Sequence, residues 1–187
     1  MRGSLKDLSM GRLGKIDHAL VSTRFFRSDL AQTLQNTPRF RQHFTSATPA
    51  INLSGTAIHA SSNTRASRIQ IQGIDNRFTD LFDQTLPELN KKGAFPSIVI
   101  NKALQKELNA KIGDAILLSF ERPSDIHRES LFGQSDISSA LQTIRLTLTA
   151  TLPDKKMGRF GLLAHQTVPL NAFVSLPTLQ KALAQPN

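Results

Sequence analysis

Five histidines, His18, His43, His59, His127 and His165, are the side chains in this sequence best suited to proton transfer or metal ligation. No two of them stand at a metal-binding spacing on a helix, and no acidic cluster accompanies them, so each reads as a surface or packing residue. General acid–base chemistry needs two titratable groups brought together in a cleft. Fourteen acidic residues are present, but nothing in their order selects a pair. Asp75 and Asp114 stand out because each sits where a strand meets a turn, and a bond from the carboxylate to turn amides is the expected role. Cysteine is absent, which excludes disulfides, thiolate metal sites and a Cys nucleophile. There is also no Gly-x-Ser-x-Gly elbow, no phosphate-cradling Gly loop and no H-E-x-x-H. The sequence therefore assigns no catalytic, cofactor-binding or metal-binding residue, and an enzyme is not expected.

Binding is better represented than catalysis. The formal net charge is +9, and residues 1–41 carry eight Lys and Arg against three Asp. Such a surplus attracts phosphate, whether of nucleic acid or of lipid headgroups, although a solvated face without a partner has the same composition. Gly11-Arg-Leu-Gly14 and Gly158-Arg-Phe-Gly161 each match the four-residue pattern that clamps a nucleic-acid backbone. Neither lies between two convincing helices, and no aromatic platform accompanies them. The alternative to be weighed below is thus a basic soluble adaptor for nucleic acid or an anionic membrane surface.

The elements that must carry these residues follow from periodicity. Residues 5–16 have a loose helical spacing broken by Gly11 and Gly14, and 19–26 form a short strand or an extended lead-in. Ser28 is placed to cap a helix through Gln35, ended by Asn36, Thr37 and Pro38. A strand lies within 50–59, and 60–67 (ASSNTRAS) reads as a polar loop with nothing to bury. Residues 68–74 alternate, with Ile69 and Ile71 on one face and Gln70 and Gln72 on a wet one. Phe78, Leu81 and Phe82 return at helical spacing, and 86–93 is a linker closed by a Lys91-Lys92-Gly93 turn. Then come a buried strand at 97–100, Asn101 as the cap of a helix over 102–110, a Gly113-Asp114 turn and a strand at 115–120. A polar loop at 124–134 precedes an alternating strand at 143–151, with Ile144, Leu146, Leu148 and Ala150 inward. A basic loop covers 153–161, a strand 172–176, and Pro177 opens a last helix.

Strands and helices mix without regular βαβ alternation, which predicts an α+β fold with a mixed sheet. Residues 97–176 are strand-rich enough to form a small lobe of their own. No apolar run approaches the roughly 20 residues that cross a bilayer. Asp7, Arg12, Lys15 and Asp17 interrupt any signal-peptide core, so the chain at face value reads as cytosolic and as a fragment could lie on either side of a membrane.

Four segments in order carry a resemblance. RGSLKDLSMGRLGKIDHALVSTRFF (2–26), IQIQGIDNRF (69–78), VINKALQKELNAKIGDAILLSF (99–120) and FGLLAHQTVPLNAFVSLPTLQKAL (160–183) together resemble the extracytoplasmic, MacB-like periplasmic core domain of FtsX/MacB-type ABC transporter permeases. The first is similar to the stretch that follows a transmembrane helix there, and the third to a unit of strand, helix, Gly-Asp and strand. The resemblance implies two lobes: residues 1–95 as an incomplete membrane-proximal lobe, and 96–187 as a strand-rich inserted lobe with a return segment. It implies a non-catalytic module, without cofactor, that couples ATP-driven motion to lipoprotein release or efflux. Its partners would be the rest of the permease, an ATPase subunit and a periplasmic protein or lipoprotein, at the outer face of the cell membrane. The chain stops where such a domain would continue to a further membrane span, so a piece of a longer protein is expected. A basic N-terminus counts mildly against an extracytoplasmic place.

Overall fold

A computed structural model describes residues 11–22, 24–27, 29–86, 89, 93–122, 141–163 and 167–184. Two short helices, α1 (Leu30–Gln35) and α2 (Pro38–His43), precede a hairpin of β1 (Ile51–His59) and β2 (Arg65–Ile74). The helix α3 (Asn76–Asp80) follows, then β3 (Ser97–Asn101), α4 (Lys102–Leu108), β4 (Ala115–Glu121), β5 (Leu141–Leu152), a 3-10 turn (Lys156–Arg159), β6 (Asn171–Ser175) and α5 (Leu176–Ala182). The six strands close a barrel in the order β1-β2-β6-β3-β5-β4. Pairing is mixed: β2 runs parallel to β6 and β3 parallel to β5, while the other neighbours are antiparallel.

Alternation along the strands sorts side chains into two layers. Inside lie Ile69 and Ile71 of β2, Ile98 and Ile100 of β3, Ile116 and Leu118 of β4, Leu146 and Leu148 of β5, and Ala172 and Val174 of β6. The intervening residues Ile74, Val99 and Phe173 face outward, where Phe78, Phe82, Met157 and Phe160 cover them as a second cluster. The two rings Phe78 and Phe82 each meet Phe160 edge-on, at 5.1 and 5.8 Å between centroids. The helices α4 and α5 add Leu104, Leu108 and Leu179 to the inner cluster. Leu179 fills the space left by Gly73, where a Cβ would clash with it.

Two irregularities switch side chains between these layers. In β2, Thr56 pairs with Ser67 but Gly55 pairs with Ile69, so Arg68 is an extra residue, and its φ of 56° is left-handed. Because of this bulge, Ala66 and Ile69 both point inward although they are three apart. In β5, Ile98 pairs with Leu148 and Val99 with Ala150, leaving Thr149 as the extra residue. Ala150 and Leu152 then join the outer cluster.

The mixed sheet and the α+β class agree with the sequence reading, and several details are corrected. The two-lobe division is not confirmed by the strands. β1 and β2, from before residue 95, pair with β4 and β6, from after it, because one barrel closes across that point. The Gln face of β2 is not wet throughout: Gln72 is buried, since the outer cluster lies over this part of the sheet. Ala150 does not join Ile144, Leu146 and Leu148 inside, because the Thr149 bulge turns it outward. The loop after β1 is shorter than 60–67, for β2 begins at Arg65 and buries Ala66. Pro38 does not only end α1 but opens α2, its fixed φ suiting a first turn. Among the described residues of 19–26 no regular strand forms, leaving the extended lead-in. The expected helix before Gly11, Ser28, the Lys91-Lys92 turn and the loop at 124–134 lie outside the described residues.

Candidate functional site

The Gly113-Asp114 turn is held from three sides. Gly113 has φ +100°, a conformation that disfavours side-chained residues, and its N–H donates to Leu148 O at 2.7 Å. The Asp114 carbonyl accepts from Leu148 N at 2.9 Å, and its carboxylate accepts from Lys111 N at 2.7 Å. That last bond is the amide-binding role expected of Asp114. The same carboxylate also lies 3.0 Å from Nε2 of His59, a buried residue at the end of β1. Ser61 Oγ is 2.9 Å from Nε2, and Ser62 Oγ is 2.9 Å from Nδ1. A ring that donates Nε2–H to Asp114 and accepts the Ser62 hydroxyl at Nδ1 satisfies both nitrogens. A carboxylate, an imidazole and a hydroxyl in line are the parts of a nucleophilic relay. Here, however, Ser62 Oγ is committed to its own turn, lying 2.7 Å from Thr64 Oγ1 and accepting from Thr64 N. The cluster pins the β1–β2 turn to the Gly-Asp turn before β4.

A second buried polar set ties the basic loop after β5 to the barrel. Asn101 is fully buried and uses every capacity of its amide. Its Oδ1 caps α4 by accepting from Leu104 N and also accepts from Asn171 N, each at 3.1 Å. Its Nδ2 donates to Gly158 O at 2.9 Å and Pro169 O at 2.7 Å. Asn171, equally buried, donates from Nδ2 to Phe160 O at 2.9 Å and Gly158 O at 3.3 Å. A Cβ on Gly158 would collide with the Pro153 carbonyl. This glycine is therefore required by packing, as is Gly14, whose φ is +58° and whose Cβ would meet Leu81 O and the Phe82 ring. One glycine of each Gly-x-x-Gly echo, Gly14 and Gly158, is thereby accounted for by close approach, while a Cβ on Gly11 would meet nothing within 4 Å.

The third feature is a strap over the barrel. Lys15 N donates to Leu81 O at 2.9 Å, its ammonium pairs with Asp83 at 2.5 Å, and Arg12 donates to Leu163 O. The Lys15 hydrogen bond and charge hold the Asp83 carboxyl below the usual carboxylate range. Ile16 packs against the outer cluster and Phe25 against the inner one. Between these anchors Leu20 and Val21 are each 71% exposed. His18 lies edge-on to Phe44 at 5.2 Å, and Phe44 stacks on Phe40 of α2 at 5.0 Å.

Asp75 takes the role expected of it, accepting from Phe78 N as the cap of α3, and it also pairs with Arg77 at 2.6 Å. His18 and His43 sit on the surface as expected, while His59 is brought to Asp114 in a way that spacing alone does not reveal. His127 and His165 lie outside the described residues. Among the described residues no group of three or more His, Asp or Glu could hold a metal, and no helix is long and apolar enough to cross a membrane.

No family model matches the chain, and no curated protein does. Among solved structures, it is similar to the periplasmic region of MacB from Actinobacillus actinomycetemcomitans, at 13% sequence identity and a TM-score of 0.44. The match covers 81% of this chain and 55% of the other, so the chain spans about half the length of that solved region.

Proposed function

We propose that this chain is a non-catalytic extracytoplasmic domain of an ABC transporter permease, passing ATP-driven motion of the membrane machine to a substrate or partner. The observation that carries the reading is the unit from Val99 to Phe120, the most detailed of the resembling segments. Each residue type that carries the likeness has a structural task there: Asn101 caps α4, Leu104 and Leu108 fill the barrel, and Gly113-Asp114 turns the chain into β4. A closed barrel has no free sheet edge and moves as one body, which suits a part that transmits displacement. Its buried Asn101, Asn171 and His59 side chains cross-link separate segments of the chain. In this reading the partners are the rest of the permease, its ATPase subunit and a periplasmic protein or lipoprotein, with lipoprotein release or efflux as the work done.

The test is the coding DNA on either side of this sequence. The expected result is an apolar segment of roughly 20 residues shortly before Met1 and further such segments beyond Asn187, beside a gene for an ATPase. Stop codons and unrelated genes on both sides would remove the reading.

A further inference from the structure

Leu20 and Val21 lie in the strap between its anchors Ile16 and Phe25, each 71% exposed, and their exposure gains the fold nothing. Isolated exposed aliphatic residues are ordinary, but these two are adjacent and have company. Phe26 is 47% and Phe44 39% exposed, and Phe44 is joined to the strap through the His18 ring. The surroundings are cationic. Arg24, on the strap, and Arg39 and Arg41, on α2, are all exposed and have no carboxylate partner among the described residues; Asp17, exposed beside His18, offsets one of these charges, and Asp29 is already engaged by Arg27 at 2.7 Å. An exposed aliphatic tip, flanking Phe rings and a collar of Arg are what an interfacial anchor requires: apolar groups enter the acyl boundary while cations meet the headgroups. Nucleic acid would leave Leu20 and Val21 without a role, since stacking needs flat rings. A protein partner would call for an apolar core depleted of charge, whereas these apolar groups stand among exposed Arg side chains.

We infer that the Leu20–Val21 tip and its Arg collar dock this domain on an anionic phospholipid surface. The inference stands on surface chemistry and does not depend on the permease reading; flanking DNA decides that one, and vesicles decide this one.

The chain has no Trp, so a Leu20→Trp variant places a single reporter at the tip. Vesicles of phosphatidylcholine alone and of equimolar phosphatidylcholine and phosphatidylglycerol are the probes. The expected result is blue-shifted emission and co-sedimentation with the anionic vesicles only, weakening as salt is added. Leu20→Asp with Val21→Asp, and separately Arg24→Glu with Arg39→Glu, should each lower partitioning by at least about tenfold. All four positions are exposed, so both double variants should unfold like the parent. No preference for anionic vesicles would overturn the assignment, as would unchanged binding by the Asp variant. So would tip-dependent self-association without vesicle binding, or tighter binding to a DNA oligonucleotide than to vesicles.

Discussion

Asn101 concentrates more of the fold in one side chain than any catalytic-looking residue does. Its four hydrogen bonds join the start of α4, the start of β6 and the loop after β5, all in a dry environment. Asn101→Ala takes the partner from Leu104 N, Asn171 N and Pro169 O, while Gly158 O keeps Asn171 Nδ2, and should cost on the order of 3 kcal/mol in denaturant unfolding. Asn101→Asp should be at least as damaging, because the second carboxylate oxygen would face the Gly158 and Pro169 carbonyls. An Asp variant as stable as the parent would show that the cap alone matters. A second residue-scale expectation concerns Asp83. Its carboxyl is held low by Lys15, so this ion pair stabilises the folded strap above the ordinary carboxylate pKa and is lost as pH falls through the lowered one. Amide protection around Lys15, measured relative to the intrinsic exchange rate at each pH, should therefore fall in acid in the parent and not in Asp83→Asn, with global stability little changed at this exposed pair. The capping role of Asn101 was legible in its sequence position, before Lys-Ala-Leu. Its bonds to Pro169 and Asn171 were not, since those residues stand some 70 positions along the chain.

At the scale of elements, the bulges decide which side chains form the core. Without Arg68 as an extra residue, strict period-two alternation could not place Ala66 and Ile69 on one face. The left-handed backbone at Arg68 is strained for a side-chained residue and eased by glycine. Arg68→Gly should thus leave stability unchanged or raise it by up to about 1 kcal/mol, while Arg68→Val should lower it by about 1 kcal/mol or more. Thermal unfolding of the two variants checks this, and equal effects would mean that the bulge relaxes elsewhere. Hydrophobic period and turn residues made β1 to β6, α4 and α5 readable, because each obeys a local rule. Bulges carry no such signature, so Ala150 was placed on the wrong face by extrapolating the alternation past Thr149, whereas Gln72 lies on the expected face and is buried because the outer cluster covers it. The same limit hid the His59 cluster: the imidazole and Asp114 belong to different turns, and only closure of the barrel brings them to 3.0 Å.

For the molecule as a whole, closure is what the sequence could least express, because it depends on pairings between strands far apart along the chain. β2 lies beside β6 and β3 beside β5, both in parallel, and β1 seals the seam with β4. Reading along the chain, residues 97–176 look like a separate strand-rich lobe; in space, their strands need β1 and β2 to complete the ring. The inner cluster confirms the dependence, since Ile69 and Ile71 pack with Ile98, Leu118 and Leu146. Two independent lobes would unfold in two steps, whereas a shared core and a closed sheet couple every strand to its neighbours. The expected outcome is one cooperative transition in denaturant, coincident by backbone circular dichroism and by emission from a single Trp introduced at Phe173 in β6. A fragment of residues 96–187 alone should not fold, as it would expose the β4 and β6 edges and lose Ala57, Ala66, Ile69 and Ile71 from the inner cluster. Two resolved transitions, or a folded fragment, would favour the two-lobe division and make the β1–β2 hairpin an accessory to the barrel. With a single transition, force applied at the strap is delivered to the whole barrel through Ile16, Phe25 and the Lys15–Asp83 pair.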